Sequence, residues 1–179
     1  MPVVPARFTL VLGLLLRPAP PARSVAVTFD DLPVVSVLAL SPAQRDSLTT
    51  RLLGAIHSHR VPAIGFVNEN KLVDSAGALD PARVALLESW LEQGLELGNH
   101  TWSHPDLHRV ALTDFEAEIL RGESVTRRLL AERGKAPRFF RHPFLHTGRS
   151  VAVRDSLNHF LGAHGYRVAP VTIDNSDYI

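Results

Sequence analysis

The chain has no cysteine in its 179 residues. Disulfides, thiolate metal sites and cysteine nucleophiles are therefore excluded, although the absence fixes no compartment, because exported proteins also lack cysteine. A large excess of one charge sign is lacking too. Nineteen basic against eighteen acidic residues leave a net +1, which offers no electrostatic footprint for a polyphosphate chain, so nucleic acid is not an expected partner. Long hydrophobic runs are missing: the apolar stretch from Phe8 to Leu16 is too short to span a bilayer as a helix. With hydrophobic residues at 45% and charged residues at 21%, disorder, collagen-like repeats and coiled coil are disfavoured, and the length suits one domain. Histidine is what the chain has in plenty. There are nine, and seven fall between His100 and His164.

Residues 1–23 stand apart. They carry Arg7, Arg17 and Arg23, no acid, the run Phe8 to Leu16, and then Pro18, Pro20 and Pro21. That pattern reads as a signal peptide, or else as a disordered N-terminus or a partly buried N-terminal strand, and it predicts export. No other segment is apolar enough to cross a membrane, so no stable insertion is expected after its removal.

From residue 24 onward, short apolar runs alternate with longer amphipathic stretches. Ser24 to Phe29 is β-branched and continuous, like a strand buried on both faces. Ser41-Pro42 and Asp80-Pro81 are caps with proline in the first turn, opening helices that run to about His59 and Gly94. Pro62 to Val67 and Leu95 to Asn99 read as strands. Thr113 with Glu116 forms a capping box for a helix ending near Gly134. Arg138 to Arg141 is a fourth strand, Ser150 to His164 a fourth helix, and Tyr166 to Ile173 a fifth strand. The pattern is βαβαβαβαβ, which predicts an α/β fold with a parallel sheet and chemistry at the C-terminal strand ends.

Polar clusters fall at those ends: Asp30 with Asp31, His100 with His104, Arg141 with Pro143, and Asp174 with Asp177. Two adjacent carboxylates repel each other unless a cation is near; a divalent metal removes the difficulty if one ligates it while the other serves as a base. His100 and His104 share the spacing of zinc proteases, but Thr101 stands where those carry Glu, so that motif is absent. Gly98, Asn99 and Pro105 argue for a turn, which still brings both imidazoles to one ion. Two histidines and a carboxylate form a recognised catalytic zinc set. His142 and His146 are the rival pair, and His108 is either a supporting residue behind the ligands or a solvated loop histidine.

These residues resemble the polysaccharide deacetylases, whose catalytic module is the NodB homology domain of carbohydrate esterase family 4. The resemblance covers roughly residues 24–178, so 24–179 is read as one such domain. The family's TFDD motif is matched by Thr28, Phe29, Asp30 and Asp31, which implies Asp30 as general base and Asp31 as metal ligand. The motif H-[ST]-x-x-H-P-D-L runs from His100 to Leu107 and implies both histidines as ligands of a divalent ion, Zn²⁺ foremost. Arg141, His142, Pro143 and Phe144 match R-x-P-[YF]. By resemblance Arg141 orients the base, the Phe144 N–H helps hold the oxyanion, and Pro143 lines the substrate site. Asp174 to Tyr178 match D-x-x-D-[WY], implying that Asp174 pairs with Arg141 and that Tyr178 lines the acetyl pocket.

Two residues depart from the pattern. Leu32 follows the acidic pair and Leu145 follows the third motif, both where the family usually has glycine. A fifth motif, L-x-H, supplies the family's general-acid histidine and is expected beyond Tyr178. The family fold is a distorted (β/α) barrel of about seven strands, of which five are legible, so the domain is expected to be incomplete at its C-terminal side. The implied function is metal-dependent removal of acetyl groups from a polysaccharide or oligosaccharide. Two alternatives stand beside it: hydrolysis of other linear or cyclic C–N bonds, and an inactive sugar-binding module.

Overall fold

The computed structural model describes residues 25–174. Among them five strands, β1 (Val27–Leu32), β2 (Ala63–Val67), β3 (Glu96–Asn99), β4 (Phe139–Phe140) and β5 (Arg167–Val168), form one sheet. Five helices, α1 (Pro42–Ser58), α2 (Pro81–Glu92), α3 (Leu112–Arg121), α4 (Ser124–Ala131) and α5 (Val151–Ala163), fill the crossovers. Every strand pair is parallel and the spatial order is that of the sequence, β1 through β5. A doubly wound sheet would reverse direction at a switch point, whereas unbroken sequential order is the arc of a (β/α) barrel. The predicted fold is the observed one.

Local chemistry sets three of the helix starts. The Ser41 hydroxyl accepts from the Gln44 N–H and the Gln44 side chain accepts from the Ser41 N–H at 2.9 Å, a capping box ahead of α1. Asp80 accepts from the N–H groups of Ala82 and Arg83, and Ser150 accepts from Val153 at 3.2 Å. Two buried clusters then fix the arc. Leu53, Ile56, Leu87, Trp90, Leu97 and Leu129 lie in the cluster that packs α1, α2 and α4 on the first three strands. Phe115, Ile119, Phe140, Leu157, Leu161 and Tyr166 pack α3 and α5 on the last two. Each such side chain contributes about 1.5–3 kcal/mol when fully buried.

Four expectations are corrected. The single helix predicted up to Gly134 is two, α3 and α4, and its start is Ala111 without any side-chain cap, so Thr113 and Glu116 form no capping box. The break follows from Gly122 and Glu69. A Cβ on Gly122 would lie 2.4 Å from the Thr101 carbonyl carbon and 2.5 Å from the Trp102 nitrogen, so the chain passes there only as glycine. The fully buried Glu69 carboxylate, in a 3₁₀ turn after β2, accepts from Ser124 Oγ, Val125 N and Thr126 N at 2.7–3.0 Å and so caps α4 from a distant segment. Secondly, β1 runs from Val27 through Leu32 and is only partly buried until its last residue, because among the described residues it pairs with β2 alone. β4 and β5 keep two residues each. Pro143 and Pro170 lack the N–H that would continue a ladder, and the Ala169 carbonyl is diverted to the Arg141 side chain.

No helix among the described residues is long and apolar enough to cross a membrane. The segment 1–23 read as a signal peptide, and Tyr178, lie outside the described residues.

Candidate active site

The acidic pair sits on an irregular strand end. The β1–β2 register shifts between Phe29 and Leu32, and Asp31 has φ 67°, a bulge of the kind that re-aims successive side chains. The two carboxylates consequently meet different cations. Asp30 Oδ2 lies 3.2 Å from Arg141 Nη1, and Asp31 Oδ1 lies 2.8 Å from Lys71 Nζ. Burial pushes the Asp31 carboxyl up, but the hydrogen bond and charge of Lys71, with smaller contributions from the two nearby imidazoles, outweigh it and hold the group below its usual range.

His100 follows β3 directly and is 1% exposed. Its N–H donates to the Val67 carbonyl at 3.0 Å, and its own carbonyl accepts from the Asn68 side chain. Its Nδ1 lies 2.8 Å from the Arg141 carbonyl. A carbonyl only accepts, so Nδ1 carries the proton and Nε2 keeps its lone pair. The loop beyond turns through φ 70° at Thr101 and 61° at His104. Asn99 Oδ1 accepts from the Thr101 N–H at 2.7 Å, and Thr101 Oγ1 from the His104 N–H at 3.1 Å. The Asn99 amide itself is anchored to the Ile119 carbonyl and the Tyr166 hydroxyl. His104 is thereby brought edge-on to His100, ring centroids 4.8 Å apart, with Nε2 4.0 Å from Asp31 Oδ1.

One ligand atom each from Asp31, His100 and His104 lies within 4.8 Å of the others. Burial pushes His100 down to about 4 and also lowers His104, so both imidazoles are neutral at pH 7 beside an ionised carboxylate. Two neutral nitrogens and one anionic oxygen fit a divalent ion of the zinc type.

Arg141, 3% exposed, joins the motifs. Its Nε donates to the Ala169 carbonyl at 2.8 Å, Nη1 to Asp30, and Nη2 to Thr28 Oγ1 at 3.0 Å; the guanidinium lies over the Phe66 ring at 4.8 Å. The paired contact expected from Asp174 is not in this set, and Asp174 is exposed near the end of the described residues. Pro143 is buried and opens a short turn in which Phe144 has φ 56° and sets its half-exposed ring edge-on to His104 at 4.6 Å.

The rival histidine pair does not form. His142 is buried against Phe115 and Phe140 and is pushed down to about 4 by that burial and the Arg141 charge. His146 turns elsewhere: its Nδ1 is 2.7 Å from Asp106 Oδ1, and its ring stacks on His108 at 3.9 Å and 9°. Asp106, His108 and His146 are also near enough to share an ion. Stacked rings, however, direct their lone pairs along parallel planes, and Asp106 Oδ1 already accepts from His146 Nδ1 and the His108 N–H. That group braces two loops. Sequence reasoning missed Asn68, Glu69, Lys71 and the anchoring role of Asn99. The available signal was the polar run Asn-Glu-Asn-Lys at the C-terminal end of β2, the position where chemistry gathers in a parallel sheet.

A sequential parallel arc with a two-histidine, one-aspartate donor set at its C-terminal strand ends is the frame of a carbohydrate-esterase-type barrel. The polysaccharide deacetylase family pattern matches residues 17–168, and the chain belongs to that family. It is 27% identical to a chitin deacetylase of Colletotrichum lindemuthianum over 154 residues, 86% of this chain and 52% of that protein. To a peptidoglycan-N-acetylglucosamine deacetylase of Bacillus cereus it is 28% identical, over 67% of this chain and 36% of the relative. The solved structure of the Colletotrichum lindemuthianum chitin deacetylase superposes with a TM-score of 0.61 at 26% identity, covering 86% of this chain and 57% of that one. The chain thus spans about half the length of the first of these curated relatives and about a third of the second.

Proposed function

We propose that this chain carries the metal-binding and water-activating part of a hydrolase that removes N-acetyl or O-acetyl groups from a polysaccharide or oligosaccharide outside the cytoplasm. The observation that carries the reading is the convergence of Asp31, His100 and His104 beside the Asp30–Arg141 pair. The names of the relatives, chitin and peptidoglycan deacetylases, support an acetylated amino-sugar polymer as substrate, and the arginine-bearing, acid-free segment 1–23 supports export. Asp31, His100 and His104 would hold the ion, Zn²⁺ by the chemistry of the donors. When bound, it supplies Lewis-acid polarisation of the acetyl carbonyl and acidifies water.

The protein's own groups do the rest. Arg141 holds Asp30 aimed through its Nη1 contact, so Asp30 takes the proton of the attacking water. The Phe144 N–H donates to the oxyanion that develops on the carbonyl oxygen. The resemblance assigns Pro143 and Tyr178 to the substrate side; the Arg141 fork is served by Ala169, Asp30 and Thr28, so Asp174 is given no part in steadying it. A departing amine needs a proton, a step the resemblance assigns to the histidine of the family's fifth motif.

The test is a pair of variants in the whole protein. Asp30→Asn retains zinc and loses deacetylation of a chitin oligomer by at least about 10², because only the proton acceptor changes. His104→Ala loses zinc affinity. Zinc released by the first variant, or fully retained by the second, refutes the assignment.

A further inference from the structure

The Lys71 ammonium lies 2.8 Å from Asp31 Oδ1 and 3.1 Å from the Asp31 carbonyl, in a side chain 16% exposed. Its backbone is not free to withdraw. The turn Glu69–Leu72 is held by the buried Glu69 carboxylate on α4 and by the Asn70 N–H, which donates to the Trp102 carbonyl at 3.1 Å. We infer that Lys71 is a built-in counter-cation of the metal site, holding Asp31 when no ion is bound and weakening the site's hold on a divalent ion. The inference rests on Asp31, His100 and His104 being the ligands.

Its physical content is simple. A carboxylate oxygen that already accepts from an ammonium offers less negative charge to a second cation, and the second cation meets a positive charge a few ångströms away. Unit charges about 4 Å apart interact measurably even at the dielectric of water, and a divalent ion doubles the effect, which amounts to roughly tenfold or more in affinity. The benefit is positional. Asp31 sits in a left-handed backbone conformation on a bulge, and Lys71 clamps both its carboxylate and its carbonyl, so the ligand is already aimed before metal arrives. Lys71 is thus a positioning residue that exchanges affinity for order.

Zinc dissociation constants measured by chelator competition on the protein, Lys71→Met, Lys71→Arg and Asp31→Asn decide the matter. Lys71→Met should bind Zn²⁺ at least about tenfold more tightly, the native difference should shrink as salt is raised, and Lys71→Arg should stay near native. Circular dichroism and a thermal melt establish that each variant is folded. Lys71→Met binding zinc as weakly as native, or more weakly, overturns the inference while leaving the ligand assignment intact. Native-like affinity in Asp31→Asn overturns the ligand assignment itself. Binding by neither the native protein nor Lys71→Met overturns both.

Discussion

Alanine at Gly122 adds one methyl group, and the structure makes its effect opposite to that of the same change at Gly54. At Gly122 the new Cβ would lie 2.4 Å from Thr101 C, 2.5 Å from Trp102 N and 2.8 Å from Thr101 O. All three are backbone atoms, so no rotamer relieves the overlap. The loop cannot retreat either, because the Trp102 N–H donates to the Glu118 carbonyl at 3.0 Å, the Ser103 N–H to the Glu118 carboxylate at 2.7 Å, and the Trp102 carbonyl accepts from Asn70. Overpacking of this kind costs about 1–3 kcal/mol. Gly122 has φ −82°, which alanine adopts freely, so reduced freedom of the unfolded chain returns about 0.4–1 kcal/mol. The net is a loss of roughly 1–2 kcal/mol and a Tm lower by roughly 3–6 °C. Gly54 lies inside α1, exposed, with nothing within 4 Å of its Cβ position. Gly54→Ala should gain about 0.5–1 kcal/mol from helix propensity alone. Urea unfolding of both variants measures the two signs, and zinc titration adds a second readout, since the displaced atoms lie between His100 and His104. Gly122→Ala as stable as native with unchanged zinc affinity would refute the close approach of loop and helix.

Arg141→Lys keeps the charge but cannot serve Ala169, Asp30 and Thr28 together; turnover should fall at least tenfold while zinc stays bound, and unchanged turnover removes the orienting role. Glu69→Gln leaves the α4 N–H groups facing an amide in place of a carboxylate and should cost roughly 2–3 kcal/mol in urea unfolding, with faster amide exchange at Val125 and Thr126. Burial pulls both His100 and His142 from 6.5 down to about 4. Between those values the unfolded chain binds more protons than the folded one, so metal-free stability is full above about pH 6.5 and falls as pH drops toward 4. Replacing His142 by leucine should reduce that acid slope by about one proton, and an unchanged slope means His142 is not held neutral.

What was legible in the sequence was local or compact. Ser41-Pro42, Asp80-Pro81 and Ser150 carry their own acceptors within three residues of the groups they cap, and Asp31, His100 and His104 stand in short motifs at strand ends. Glu69 was not legible as a cap because its partners lie 55–57 residues away. Gly122 read as an ordinary helix residue, since the atoms that exclude a side chain belong to the Thr101–Trp102 loop. Lys71 carries no motif; only the folding of the β2 turn onto the β1 bulge makes it a neighbour of Asp31.

The sequential order of the strands has a consequence for synthesis. Each strand lies beside the one made just before it, so a nascent chain emerging N-terminus first can add one βα unit at a time onto a finished edge. Arg141 breaks that economy of distance. It reaches back 113 residues to Thr28 and 111 to Asp30, the far side of the arc from β4. A partly made chain can therefore hold Asp31, His100 and His104 together while Asp30 still lacks its guanidinium. The Asp30–Arg141 pair closes only when the arc has curved far enough to bring its fourth strand across to its first, so under the proposed mechanism late assembly and chemical competence would be the same event.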